Sequence, residues 1–197
     1  MKFTVDTKDL DWALRNVKPY ADPCATTPVL RNLRVRVDKN VVIDATDRYA
    51  VGQARVERAD EDFSEPAEFL LPADSLTVIL PTLKTIHGVV VVSVEDGHVS
   101  FGGTRVSSGT GDFPSLDGLW PGDLPEDPEP YGVTQATAKK LAAYKPIDRT
   151  DKDQPWKVFA GKQGKPYVLL RNSNFRALVM GAKIPDREDV RSEYGTW

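Results

Sequence analysis

Three times along this chain a short alternating run leads into one helix-length amphipathic segment and then into three further alternating runs, a βαβββ order that recurs about every 55 to 60 residues. A repeat of this kind restricts the fold more than any single motif, because each unit exposes an apolar face that only another unit can cover. In the first unit KFTVD at 2–6 alternates as a strand. Asp6 or Thr7 can cap a helix whose apolar face is Leu10, Ala13, Leu14 and Val17, and Pro19 stops it. Strand-like runs follow at Val29 to Val37, Val41 to Ala45 and Tyr49 to Val56. After an acidic loop at 60–66 the order returns with a strand at Glu68 to Leu71 and a helix at Ala73 to Leu83, which Pro81 is expected to shorten or kink. Strands at Val89–Val94, Val99–Phe101 and Thr104–Ser107 complete the second unit. The third has a strand at Tyr131–Val133, a helix from Thr134 to Tyr144, and strands near Trp156–Ala160, Tyr167–Arg171 and Phe175–Ile184.

The stretch 117–130 is rich in Pro, Asp and Glu and has too little apolar content to fold alone, so it reads as a connector. The expected organisation is a domain of two units at 1–116, a linker at 117–130, a half-sized domain of one unit at 131–184 and a tail at 185–197. The fold class that follows is α+β, with helices on one face of antiparallel sheets.

Composition narrows the function. With 26 basic and 29 acidic residues the net charge is −3, so any contact with nucleic acid must use a segregated face. Cys24 is the single cysteine and no Cys/His spacing suits zinc, which fits a reducing, cytoplasmic setting without a metal or other cofactor. Neither a signal-peptide pattern nor a membrane-spanning run is legible, so no membrane partner is expected. Catalysis has little to rest on. Asp44 and Asp47 read as residues of strand ends and turns, His98 belongs to the hairpin word EDGHVS, and His87 ends a helix. No nucleophile elbow, phosphate loop, dinucleotide fingerprint or metal triad is present, and the chain is expected not to be an enzyme.

Four stretches carry a family resemblance. VVIDATDRYAVGQARVE, containing Ala45 to Val51, resembles the A-T-D-x-x-x-L-A-V word in the middle domain of bacterial DNA polymerase III beta sliding clamps. TPVLRNLRVRV at 27–37 is similar to the strand after the first helix of a clamp domain, and GDFPSL at 111–116 to the D-x-F-P-x-L segment that ends one. GKPYVLLRNSNFRALVMGAKI at 164–184 resembles the final strands of the last clamp domain, with Gly181 in place of the family's proline and Lys183 in place of its arginine. The words keep the family's order and cover nearly the whole chain. They suggest a DNA clamp fold in a shortened, phage-encoded member of the family.

The resemblance implies a ring that encircles double-stranded DNA without base readout and tethers a polymerase, with helices lining the hole. Lys8, Arg15 and Lys18 lie off the apolar stripe of the first helix, and Lys84 and the cluster Lys139, Lys140 and Lys145 supply the other two helices, so these are the candidate phosphate contacts. The family also binds short peptides of polymerases and clamp loaders. By position that pocket takes in Thr46, Asp47, Arg48 and Tyr49 together with Val179, Met180, Gly181, Lys183 and Ile184, where a flexible Met suits an adaptable groove. The ring would be a homo-oligomer, a tetramer if twelve βαβββ units are needed and a trimer if the half-sized domain serves as a whole one. The competing expectation is a clamp-like adaptor or decoy that binds replication proteins without encircling DNA.

Overall fold

The computed structural model describes residues 1–60, 66–116, 119, 135–144, 157–160, 167–171 and 174–180. Strand β1 (Lys2–Asp6) passes directly into helix α1 (Thr7–Val17). Asp6 makes the junction: its carboxylate accepts from the amides of Lys8 (2.8 Å) and Asp9 (3.2 Å), while the Thr7 hydroxyl donates to Gly88 O at 2.7 Å. The first unit continues with β2 (Asn32–Val37), β3 (Asn40–Thr46) and β4 (Ala50–Glu57). The second has β5 (Ala67–Pro72), α2 (Leu76–Thr85), β6 (Val89–Glu95), β7 (His98–Phe101) and β8 (Thr104–Ser107). The third contributes α3 (Gln135–Ala142), β9 (Lys157–Ala160), β10 (Tyr167–Arg171) and β11 (Phe175–Met180). The expected strand at 131–133, the linker apart from Leu119, and the tail lie outside the described residues.

Two expectations need correction. The run from Val29 is not strand throughout, because Pro28 opens a 3-10 turn at Pro28–Arg31 and extended backbone starts only at Asn32. The second helix is preceded by a 3-10 turn at Ala73–Ser75 and continues past Leu83 to Thr85 with Pro81 inside it. Pro81 is exposed, and the helix instead buries Leu76, Ile79, Leu80 and Leu83.

The first two units trade their opening strands. β1 pairs with β6 in a four-stranded sheet of order β1-β6-β7-β8, and β5 pairs with β2 in a seven-stranded sheet of order β5-β2-β3-β4-β11-β10-β9. Every pairing is antiparallel, and β11 lies along β4, with Leu178 opposite Val51 and Val179 opposite Ala50. Strand alternation turns Leu33, Val35, Ile43, Ala54 and Val179 of the larger sheet, and Val5, Val92 and Phe101 of the smaller, into one buried cluster with α1 and α2. Each fully buried Leu, Val or Phe of that cluster contributes about 1.5–3 kcal/mol. The backbone at 58–60 bridges the sheets: Ala59 N donates to Thr4 O at 2.8 Å, and Asp60 accepts the Thr4 amide at 2.8 Å.

The third unit docks through aromatic rings. Phe175 of β11 lies 5.2 Å from Tyr144 just past α3, 6.3 Å from Trp12 of α1 and 6.2 Å from Tyr20. Gly52 allows this approach, since a Cβ there would stand 2.4 Å from the Tyr20 ring.

Candidate functional site

The face of the larger sheet turned away from the helices is largely polar in sequence. Arg34, Asp44, Thr46 and Gln53 on it are nevertheless buried, as is Leu178. Asp44, at 0% exposure, sits well inside β3 and not at a strand end. Its Oδ2 accepts from Arg34 (3.0 and 3.1 Å) and Arg36 (3.1 Å), and its Oδ1 from Gln53 (2.5 Å). Gln53 in turn accepts from Arg176 at 2.6 Å, which joins β11 to the network. The segment 108–116 lies over this face. Ser108 and Gly109 donate to Leu70 O, Phe113 stacks over the Arg34 guanidinium at 5.0 Å, and Leu116 packs with Val51 and Leu178.

Between this segment and the end of β4–β11 lies an apolar cavity of about 380 Å³. Its floor is Val51, Leu116 and Leu178, and one wall is Val29 and Leu30 of the 3-10 turn. Thr46, Arg48, Tyr49 and Met180 line it as well, together with Pro114, Ser115 and Leu119. Tyr49 (68%), Met180 (49%) and Leu119 (46%) are among the most exposed large apolar side chains of the described chain, and all three border the cavity.

The turn that carries Arg48 and Tyr49 is held from several sides. Thr46 Oγ1 donates to Ala50 O at 2.9 Å and accepts the Arg48 amide at 3.1 Å. Asp47 Oδ1 accepts the amides of Tyr49 (3.1 Å) and Ala50 (2.8 Å), an Asx turn that lets Arg48 sit at φ 79°. Met180 N donates to Tyr49 O at 2.8 Å, and the Arg48 guanidinium donates to Thr27 Oγ1.

Of the expected pocket residues, Thr46, Arg48, Tyr49 and Met180 meet at the cavity. Val179 does not: it is one step along the strand from Met180, so its side chain enters the main core on the opposite face. Asp47 is not a lining residue either, because its second oxygen pairs with Lys140. Gly181, Lys183 and Ile184 lie outside the described residues. The residues that sequence reasoning did not assign to the pocket are Thr27, Val29, Leu30, Val51, Asp112, Pro114, Ser115, Leu116, Leu119 and Leu178. The signal was present: all but Leu119 belong to the four stretches of resemblance, which converge on this one cavity.

The basic candidates divide. Lys8, Arg15 and Lys84 line a groove of about 490 Å³ between α1 and the end of α2, with His87 and Asp11 beside them. Asp11 holds Arg15 through paired hydrogen bonds of 2.7 and 2.9 Å, which raise the guanidinium's pKa against the opposing effect of burial. Lys18 is half-buried in the turn after α1, and Lys139 is exposed on α3. Lys140 is not free in the same way, since its ammonium is committed to Asp47 and lies 6.0 Å from the Tyr20 ring centre. Burial and the nearby Asp47 charge push the Tyr20 hydroxyl above its ordinary value. Lys145 lies outside the described residues.

His98 Nδ1 is within 2.8 Å of Asp96 O in its hairpin, and His87 is exposed. Among the described residues no three His, Cys, Asp or Glu side chains cluster as metal ligands, and no helix is long and apolar enough to cross a membrane.

Repeated βαβββ units with exchanged strands, helices packed on one face of antiparallel sheets and a second sheet face left outside define the DNA clamp fold. Solved bacterial clamps share it. The DNA polymerase sliding clamp of Bacillus subtilis superposes with a TM-score of 0.73 at 12% identity, over 93% of this chain and 64% of that one. The Helicobacter pylori beta clamp bound to DNA ligase peptide gives 0.73 at 11%, over 93% and 66%. The Pseudomonas aeruginosa DNA polymerase III beta subunit bound to griselimycin gives 0.67 at 19%, over 96% and 67%. The chain thus spans about two thirds of the length of these clamps. Its sequence matches no protein-family model and no curated protein.

Proposed function

We propose that this protein is a sliding clamp, a processivity factor that closes around duplex DNA as a homo-oligomer and tethers replication proteins by short peptides. The observation that carries the reading is the apolar cavity at the β4–β11 junction, where exposed Tyr49 and Met180 stand over a buried floor within a clamp fold. An apolar, partly preformed hollow with a few polar rim groups suits an extended peptide with one or two large apolar anchors. Polymerase and clamp-loader segments are the intended ligands. The DNA ligase peptide bound to the Helicobacter clamp supports the reading by analogy.

In this reading 1–116 is a whole clamp domain and 131–184 a shortened one. Of the four terminal strands, β1 and β5 carry bridges to Arg58 and Gly109, whereas β8 and β9 have no further bridge among the described residues and offer edges that another copy's strand would extend. Lys8, Arg15, Lys18, Lys84, Lys139 and Lys145 would contact phosphates. Such contacts need supply only weak, sequence-independent affinity, each steepening the log–log salt dependence by about 0.9. A closed ring is retained on nicked circular DNA and lost when the circle is linearised; equal retention on both forms overturns the proposal. A clamp-like adaptor or decoy that does not encircle DNA is the second reading, favoured by the pairing of two candidate phosphate contacts with carboxylates, Arg15 with Asp11 and Lys140 with Asp47. That reading predicts ligand binding at the cavity with no retention on either DNA form.

A further inference from the structure

The turn that forms the cavity rim is anchored in the third unit, through a side chain that the sequence assigns to DNA. Asp47 divides its carboxylate. Oδ1 accepts the amides of Tyr49 and Ala50 and so shapes the turn, and Oδ2 takes the Lys140 ammonium from α3. Both side chains are only 19% exposed, so the pair is partly shielded from solvent and salt. Around it the third unit meets the first through Tyr144, Phe175 and Trp12, and Tyr20 lies beneath the Lys140 ammonium. Arg48, the next residue of the turn, adopts φ 79°, a conformation that a non-glycine residue holds only where its surroundings fix it.

We propose that Lys140 is a positioning residue for the cavity: by holding Asp47 it fixes the Arg48–Tyr49 rim, and ligand binding therefore requires the third helix to be docked on the first unit. The proposal rests on reading the cavity as a peptide site. It separates Lys140 from its neighbour Lys139, which is exposed and open to phosphate. The ligand site becomes a composite of two units, and its competence reports their docking.

The test compares the wild-type protein with Lys140→Gln and Lys140→Arg, using griselimycin and the DNA ligase peptide as probes. Lys140→Gln is expected to weaken both probes about tenfold with an unchanged unfolding midpoint, and Lys140→Arg to stay within about twofold of wild type, as a retained cation would. Amide exchange at Tyr49 and Ala50 should quicken in Lys140→Gln and not in Lys140→Arg. The proposal is overturned if Lys140→Gln leaves probe affinity within about twofold, or if it instead flattens the salt dependence of DNA binding by about one phosphate contact. If wild-type protein binds neither probe, the peptide-site reading fails, and the exchange rates alone then decide whether Lys140 holds the turn.

Discussion

Asp44 is the residue whose environment departs furthest from what its neighbours in sequence suggest. Alternation in NVVIDAT places it on the face opposite Val41 and Ile43, which is ordinarily a solvated face, yet 108–116 covers that face and leaves the carboxylate among Arg34, Arg36 and Gln53. Period-two patterning shows which residues share a face and says nothing about the segment 108–116, which returns from far along the chain to bury it. Replacing Asp44 by Asn keeps the shape but removes the charge that the buried Arg34 pairs with, and denaturant unfolding should register a loss of about 3–5 kcal/mol. Gly52→Ala forces a Cβ into the Tyr20 ring and is expected to cost about 1–3 kcal/mol in the same measurement. Tyr49 and Met180 behave differently because they are exposed in the free protein. Tyr49→Ala and Met180→Ala should leave the unfolding midpoint in place while weakening griselimycin or the ligase peptide about tenfold, as read by titration calorimetry. The resemblance located these two residues, and the turn chemistry of ATDRY explains why they meet.

The elements were the most legible level, and their failures share a cause. β8 and β10 fall where alternation puts them, and α1 starts where Asp6 can cap it. Boundaries slipped where proline sets the backbone, at the 3-10 turn after Pro28 and through Pro81 in α2, because packing of Ile79, Leu80 and Leu83 outweighs the lost donor. Strand exchange between β1 and β5 was not legible, since no local pattern states which sheet a strand joins. That exchange is secured at 58–60. The Arg58 hydrogen bond, then the Thr4 amide, hold the Asp60 carboxyl below its ordinary value of 3.8 despite a partial desolvation that acts the other way. A carboxylate lowered by folding stabilises fully above its unfolded pKa and loses that contribution as pH falls through the folded value. The stability gap between wild type and Asp60→Asn should therefore be complete near neutral pH and close as the pH drops below 3.8, as followed by denaturant titrations across pH. Removing the cap by Asp6→Ala should cost about 1 kcal/mol and loosen the β1–α1 junction.

At the scale of the whole molecule the continuous seven-stranded sheet is the decisive feature. It runs from the second unit's exchanged strand through the first unit into the third, so strands of all three units share one ladder of hydrogen bonds. The sequence suggests a half-sized domain at 131–184, and β11 of that stretch pairs along β4 in the sheet of the first unit. The proposed ring would close through sheet edges such as β8 and β9, which have no neighbouring strand among the described residues. Three units per chain suit a tetramer by a count of twelve, and a half-domain acting as a whole one suits a trimer. Light scattering of the purified protein reads this directly. Ring closure predicts a discrete particle of three or four times the 21.8 kDa chain mass, independent of concentration down to the working range of a replication protein. A monodisperse particle of one chain mass contradicts it.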